Sequence, residues 1–316
     1  LHHVVLNLAG SALFLIALGL IYGTTGTLNM ADFAVKAQAL EGSDQILLTV
    51  AVLLLWVVFG LKAALFPLYF WLPAAYANAT APVAALFAIM TKVGIYAILR
   101  MQALAFSDGP LAGLGADLLW WLALVTLALA AIGALAAQRL GGLVAYLVVM
   151  SVGTLVAALS LGDPKVVGPA LYYLIHSTLI CAALFLLCDL LRRSRGDSDD
   201  RLESGPPLAH GNWLGAAFLA LLQAVPSAPY WVLLLLGGLA GLVGLSRAGS
   251  TLFWRVHGDV VSKKLGRRRV IPMLALLLAS PLLTVAAEPL LQLCGGVAEQ
   301  LADQTIYIRA VLGGAS

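Results

Sequence analysis

Two lysines stand where charge is costly. Lys62 lies in Phe-Gly-Leu-Lys-Ala-Ala-Leu-Phe-Pro-Leu-Tyr-Phe-Trp-Leu-Pro (59–73), and Lys92 in Ala-Ile-Met-Thr-Lys-Val-Gly-Ile-Tyr (88–96). Both sit in apolar sequence long enough to cross a bilayer. An ammonium near the bilayer centre costs about 3 kcal/mol on insertion scales, so such residues are rare and usually functional. Lys62 is also one turn ahead of Pro67, which cannot donate to the carbonyl of Ala63 and whose ring clashes there. A bend or break beside the charge is predicted, and Pro73 is expected to stop the same segment. Many transporters build ion sites from an ionisable side chain next to a broken helix. His176, followed by Ser177 and Thr178, adds a group that titrates near neutrality. Burial disfavours the charged form of a lysine and a nearby carboxylate favours it, so a buried lysine with a changing partner can load and release a proton.

Plainer readings stand beside these. Lys62 could snorkel, Lys92 could stabilise packing alone, and His176 could bond between helices with Ser177 and Thr178 as neighbours. Arg247 reads as an anchor reaching the headgroups, with an accessory role at the site as the alternative. The three cysteines, Cys181, Cys188 and Cys294, read as small buried hydrophobes.

The elements that must hold these groups follow from composition. Of 316 residues, 62% are hydrophobic and 10% charged, against roughly 25% charged in soluble domains; mean hydropathy is +0.99. Apolar runs of about 20 residues recur, each able to span a ~30 Å hydrocarbon core. They do not alternate as barrel strands would. The chain reads as an all-α polytopic membrane protein with about 8–9 transmembrane helices. The net charge of +3 is small and its basic residues cluster in loops, which points to orientation in a lipid bilayer and not to nucleic acid. Zinc-type Cys/His spacing is absent, as are Walker and dinucleotide loops, so neither a metal nor a cofactor nor an enzymatic reaction is expected.

Spans are predicted over 4–22, 45–70, 82–100, 118–137, 143–161, 168–191, 230–254 and 270–293, with a polar link near Asp32–Asp44. Pro82 opens the third span where a missing N–H does no harm. The apolar run 213–225 is only 13 residues long, about 20 Å of helix, too short to cross alone. The tail 297–312 reads as an amphipathic interfacial helix. The first residues carry neither a basic n-region nor a small-residue cleavage site, so no signal peptide is expected. The loops 192–210 and 255–269 hold most of the arginines and lysines. Both are therefore expected on the cytoplasmic side; the short run 213–225 then either crosses as a damaged span, the favoured reading, or re-enters without crossing.

Several stretches together carry a family resemblance. They are Leu-Asn-Leu-Ala-Gly-Ser-Ala-Leu-Phe-Leu-Ile, Tyr-Gly-Thr-Thr-Gly-Thr-Leu-Asn-Met-Ala-Asp, the Lys62 segment, 81–100, His-Ser-Thr-Leu from His176, and Arg-Ala-Gly-Ser-Thr-Leu-Phe-Trp from Arg247. The chain resembles the D-type subunits of Mrp-type (Pha, Mnh) multisubunit monovalent cation/proton antiporters of bacterial inner membranes. More distantly it is similar to antiporter-like subunits of respiratory complex I. The resemblance implies inverted five-helix repeats, each with a broken helix, and a midplane row of lysine, histidine and carboxylate groups relaying protons. Lys62 falls on the first broken-helix lysine, Lys92 on the lysine of the next helix and His176 on the central relay position. Partners would be the other subunits of a hetero-oligomer, with Na+ or K+ and H+ as cargo. The alternatives are a proton-pumping subunit of complex I or hydrogenase type, and a non-conducting truncated remnant.

Against the family pattern two parts are missing. One is the first five helices, including the glutamate that pairs with the first lysine. The other is the Gly-Leu-Pro-Pro-Leu-Ser-Gly-Phe…Gly-Lys segment of the second broken helix, which accounts for the short run 213–225. Residues 1–105 then read as the remnant of the first repeat and 106–254 as the second. Residues 255–316 supply a basic loop, the last span and the tail.

Overall fold

The computed structural model describes residues 2–105, 115–195, 200–203, 233–254 and 267–313. Among these the architecture is entirely helical apart from one isolated bridge between Arg139 and Arg201. Seven of the described helices are long and apolar enough to cross a membrane. They are α1 (His2–Thr25), α3 (Gly42–Ala63), α5 (Ala81–Ala105), α6 (Ala116–Ala136), α7 (Leu140–Ser160), α8 (Pro164–Arg195) and α10 (Arg267–Val285). A further helix, α9 (Leu233–Gly249), runs on into a π-helical turn, Ser250–Trp254. Shorter helices complete the set: α2 (Met30–Gln38), α4 (Trp71–Asn78), α11 (Ala287–Ala302) and α12 (Gln304–Leu312). The run 213–225 lies outside the described residues.

Helix α7 is the centre. Its apolar residues are buried on nearly every face, as expected of a helix that is hydrophobic all round. It packs against α6, α8, α4 and α5. Gly153 permits a close approach, since a Cβ there would lie 2.9 Å from the backbone nitrogen of Leu127 on α6.

Three departures from the pattern-based reading have identifiable causes. The polar link before the second span contains α2, whose first turn is capped by the Asn29 side chain and whose Ala31, Phe33, Ala34 and Ala37 face inward. Small alanines made that apolar stripe faint against the four charges around it. The last span ends at Val285, well before 293, and the chain restarts as α11. Pro289 explains this, because it has no N–H for the carbonyl of Val285. Pro73 does not stop a helix; it sits in the first turn of α4, where its missing N–H is harmless.

The predicted break is present and lies where Pro67 requires it. Helix α3 ends at Ala63, and Ala64 takes a left-handed conformation with φ 62°. The N–H of Leu65 closes back on the carbonyl of Gly60 at 2.9 Å, a Schellman-type end. Irregular backbone at this depth must find partners inside the protein. The Phe66 N–H donates to the Thr126 hydroxyl of α6 at 2.9 Å, and the Trp71 indole donates to the carbonyl of Leu61 at 3.1 Å. The chain resumes as α4 after a tight turn.

One end of the bundle is tied by a buried carboxylate. Asp200 is 0% exposed. Its Oδ1 accepts from Arg139 of the α6–α7 turn at 2.8 Å. Its Oδ2 accepts from Arg192 of α8 and from the Gly141 N–H of α7, each at 2.9 Å. Arg192 also donates to the carbonyl of Ala77 in α4 at 2.8 Å, so one guanidinium joins the half-helix beyond the break to the end of α8. Arg195 donates to the carbonyls of Arg201 and Glu203, each at 2.7 Å. Burial raises the Asp200 carboxyl, but Arg192, the Gly141 N–H and Arg139 outweigh it and hold the group below the ordinary carboxylate range.

Two outcomes follow. Thr126→Val keeps the side chain's shape but strands the buried Phe66 N–H, and should lower stability by about 1–3 kcal/mol, read as thermal unfolding in detergent, with Thr126→Ser recovering most of it. The stability supplied by Asp200 is complete above the unfolded carboxylate value of about 3.9 and is lost as pH falls through its lower folded value. Asp200→Asn should cost about 1.5–3 kcal/mol at neutral pH and flatten that acid limb in the same assay.

Candidate functional site

Lys62 lies in the last turn of α3, directly before the break. A cation there is favoured by the carbonyl end of the helix. Its half-buried Nζ donates to Asn7 Oδ1 of α1 at 2.7 Å. Helix α1 comes this close because Gly10 lies against the Leu61 side chain and Phe14 meets Phe59 with ring centroids 6.4 Å apart.

Lys92 is 4% exposed. Its Nζ donates to the Ser151 hydroxyl of α7, and Ser151 passes its own proton to the carbonyl of Val148 at 2.7 Å. This amine does not snorkel. Two residues beyond Lys92, Gly94 touches the break itself: a Cβ there would lie 2.6 Å from the Ala63 nitrogen and 3.0 Å from the Lys62 carbonyl carbon. The helix carrying the second lysine is thus pressed on the turn carrying the first.

His176 lies on the third element of the row, buried in α8. Its Nε2 is 3.2 Å from the Ser280 hydroxyl of α10, and the ring stacks on Tyr172 with centroids 6.4 Å apart. The Tyr172 hydroxyl donates to the carbonyl of Leu283 at 3.2 Å. These two pairs show α8 and α10 running antiparallel. His176 Nδ1 is buried with no partner among the described residues. Neighbouring Tyr173 hydrogen-bonds with Thr154 of α7.

Other side chains singled out from sequence have different partners. Ser177 and Thr178 both donate to the carbonyl of Leu174 in their own helix, at 3.3 and 2.6 Å, so neither holds the histidine ring. Arg247 is exposed and donates to the Ala137 carbonyl at the end of α6, where helix carbonyls lack partners. It stands at the arginine-rich end of the bundle, away from both lysines. Cys181, Cys188 and Cys294 are buried free thiols, as read.

The site residues share one level of the molecule. The buried apolar side chains form two clusters. One includes Ala88, Leu127, Met150 and Ile180, and the other Ile95, Ala123, Val152 and Ala170. Lys92, Thr126, Ser151 and His176 each fall between the two clusters along their own helices, and at the α3 break Ala63 and Leu65 belong to one cluster while Ala64 between them belongs to the other. A polar seam therefore crosses the bundle between two apolar slabs. Sequence reading found the amines and the imidazole of this seam. It missed Asn7, Ser151, Thr126 and Ser280, each a small polar residue in an apolar run, whose partner is 55 or more positions away.

Comparison with known proteins identifies the family and the fold. Residues 1–254 match the family model described as NADH:quinone oxidoreductase/Mrp antiporter, transmembrane. A Rhizobium meliloti (strain 1021) protein, described as the probable D-type subunit of a K(+)/H(+) antiporter, is 36% identical, over 99% of this chain and 68% of its own length. The D-type subunit of the Na(+)/H(+) antiporter of Alkalihalophilus pseudofirmus is 34% identical over 99% of this chain and 67% of its own. Among solved structures, a chain of the Mrp complex from Dietzia sp. DQ12-45-1b superimposes with a TM-score of 0.82 at 24% identity, covering 98% of this chain and 69% of that one. A chain of respiratory complex I from Thermus thermophilus does so at 0.73 and 25% identity, covering 94% and 68%. This chain thus spans about two thirds of the length of the relatives it matches. With a matching model over 1–254 and this identity along nearly its whole length, the chain belongs to the NADH:quinone oxidoreductase/Mrp antiporter transmembrane family.

Proposed function

We propose that the chain is the proton- and cation-translocating membrane subunit of a multisubunit Na+(K+)/H+ antiporter, with Lys62, Lys92 and His176 relaying protons along the polar seam. The observation that carries this reading is the Lys92 amine, buried between helices at the level where two apolar slabs meet, with a second lysine at a helix break beside it. Such a placement is costly unless the groups handle charge. The hydroxyls of Ser151 and Ser280 can accept or donate, so they orient the amine and the ring without fixing their charge. The multisubunit assemblies of its relatives make a hetero-oligomer the working form, in the bacterial inner membrane.

Orientation follows from charge. Arg139, Arg192, Arg193, Arg195, Arg201 and Arg247 gather at one end of the bundle, and the antiparallel packing of α8 and α10 brings Arg268 and Arg269 to that end as well. The positive-inside rule assigns this end, with loops 192–210 and 255–269, to the cytoplasm.

Lys62→Ala and Lys92→Ala, each tested in the assembled complex in everted membrane vesicles, should reduce cation-driven proton flux to background while co-purification of the other subunits is unchanged. Flux at the unsubstituted level with normal assembly would reject the relay.

A further inference from the structure

We infer that the helix break after α10 belongs to the site: it makes Tyr172 and Ser280 the positioning residues of His176. The inference rests on the relay role of His176 proposed above. It starts from where two side chains send their hydrogen bonds. A hydroxyl in an apolar helix commonly turns back to a carbonyl one turn earlier, as those of Ser177, Thr178 and Thr284 do here. The buried Ser280 hydroxyl is aimed elsewhere. Among the described residues its partner is Nε2 of His176 on α8, 3.2 Å away and 104 positions distant in sequence.

Tyr172 holds the same ring from another side. It lies one turn before His176 on α8, and the two rings stack with centroids 6.4 Å apart and planes 13° from parallel, within the range of offset aromatic pairs. Its hydroxyl is itself anchored, donating to the carbonyl of Leu283 at 3.2 Å. That carbonyl is in the last turn of α10, where helical donors run out. Pro289 adds to the shortage, since it has no N–H for the neighbouring carbonyl of Val285.

The contacts also place the break beside the ring. From the His176–Ser280 pair to the Tyr172–Leu283 pair, four residues of α8 are matched by three of α10. One turn further along α8, Gly168 lies against α11, where a Cβ on it would come within 3.2 Å of the Gly295 Cα. These next four residues of α8 are matched by twelve. The surplus is taken up around Ala286, the one residue between α10 and α11. An unbroken helix would match α8 turn for turn and satisfy the Leu283 carbonyl with its own N–H groups. The imidazole is therefore set by α10 at one nitrogen and, through Tyr172, across one face.

The test uses the full assembled complex carrying isotope-labelled histidine, reconstituted in liposomes. Solid-state NMR reads the ring nitrogens, and His176 is identified as the signal lost in His176→Gln. Maximal cation-driven proton flux and the half-saturating cation concentration are measured in everted vesicles. Ser280→Ala should move the His176 signals and lower maximal flux several-fold at an unchanged half-saturating concentration. Ser280→Thr keeps the hydroxyl and should recover most of both. Tyr172→Phe keeps the stack but cuts the tether to Leu283, and should act in the same direction to a smaller extent. Unmoved His176 signals in Ser280→Ala, with the complex assembled, overturn the inference, as does full flux in Ser280→Ala where His176→Gln has none. Should Ser280→Ala fail to assemble, unmoved signals in Tyr172→Phe overturn it instead. The relay is judged separately: full flux in His176→Gln rejects that role, while the ring signals still report how the imidazole is held.

Discussion

Inside an apolar bundle a buried polar group needs a polar partner, and this molecule gathers several such pairs at one level. The clusters above and below the seam contain no charge of their own; the amines, the imidazole and the unpaired backbone of the break lie between them. Burying a lone amide in hydrocarbon costs several kcal/mol, so the break, the lysines and the small hydroxyl residues have to coincide. Thr126 answers the Phe66 N–H, Ser151 answers Lys92, Asn7 answers Lys62 and Ser280 answers His176. Each pair joins two different helices, so together they also fix the register of the bundle.

The seam is held from one side by the Asp200 assembly. Arg192 links that carboxylate to the carbonyl of Ala77, near the end of the half-helix that follows the break. The broken segment is therefore fixed at both ends, by Thr126 and Trp71 at its start and by a guanidinium at its finish. Such an arrangement positions the Lys62 turn through backbone contacts, leaving its side chain to meet α1. The opposite end of the bundle is closed differently, with Arg100 of α5 lying 4.1 Å over the ring of Tyr307 in α12.

How much of this could be read from the residues depended on whether the signal was local. Pro67 named its own unpaired carbonyl four residues back, so the break after Ala63 was legible in a few letters. The depth of Lys92 was legible from the length of apolar chain on both sides. The partners were not, because serine, threonine and asparagine in a membrane run can equally turn back on their own helix. Ser177 and Thr178 do this and Ser151 does both; only packing distinguishes them. Asp200 was invisible for the same reason: one aspartate among many polar loop residues gives no hint of two arginines waiting 8 and 61 positions away. Pro289 carried the same kind of local signal as Pro67, yet the apolar residues flanking it masked the end of α10 at Val285.

The bare backbone of Gly94 has a mechanical consequence. With no side chain between them, α5 and the terminal turn of α3 are in contact main chain to main chain, and two surfaces so close have no slack for sliding. The two lysine-bearing helices are thus seated against each other through backbone at this level. A side chain at position 94 would therefore have to force the Lys62 turn and the Lys92 helix apart.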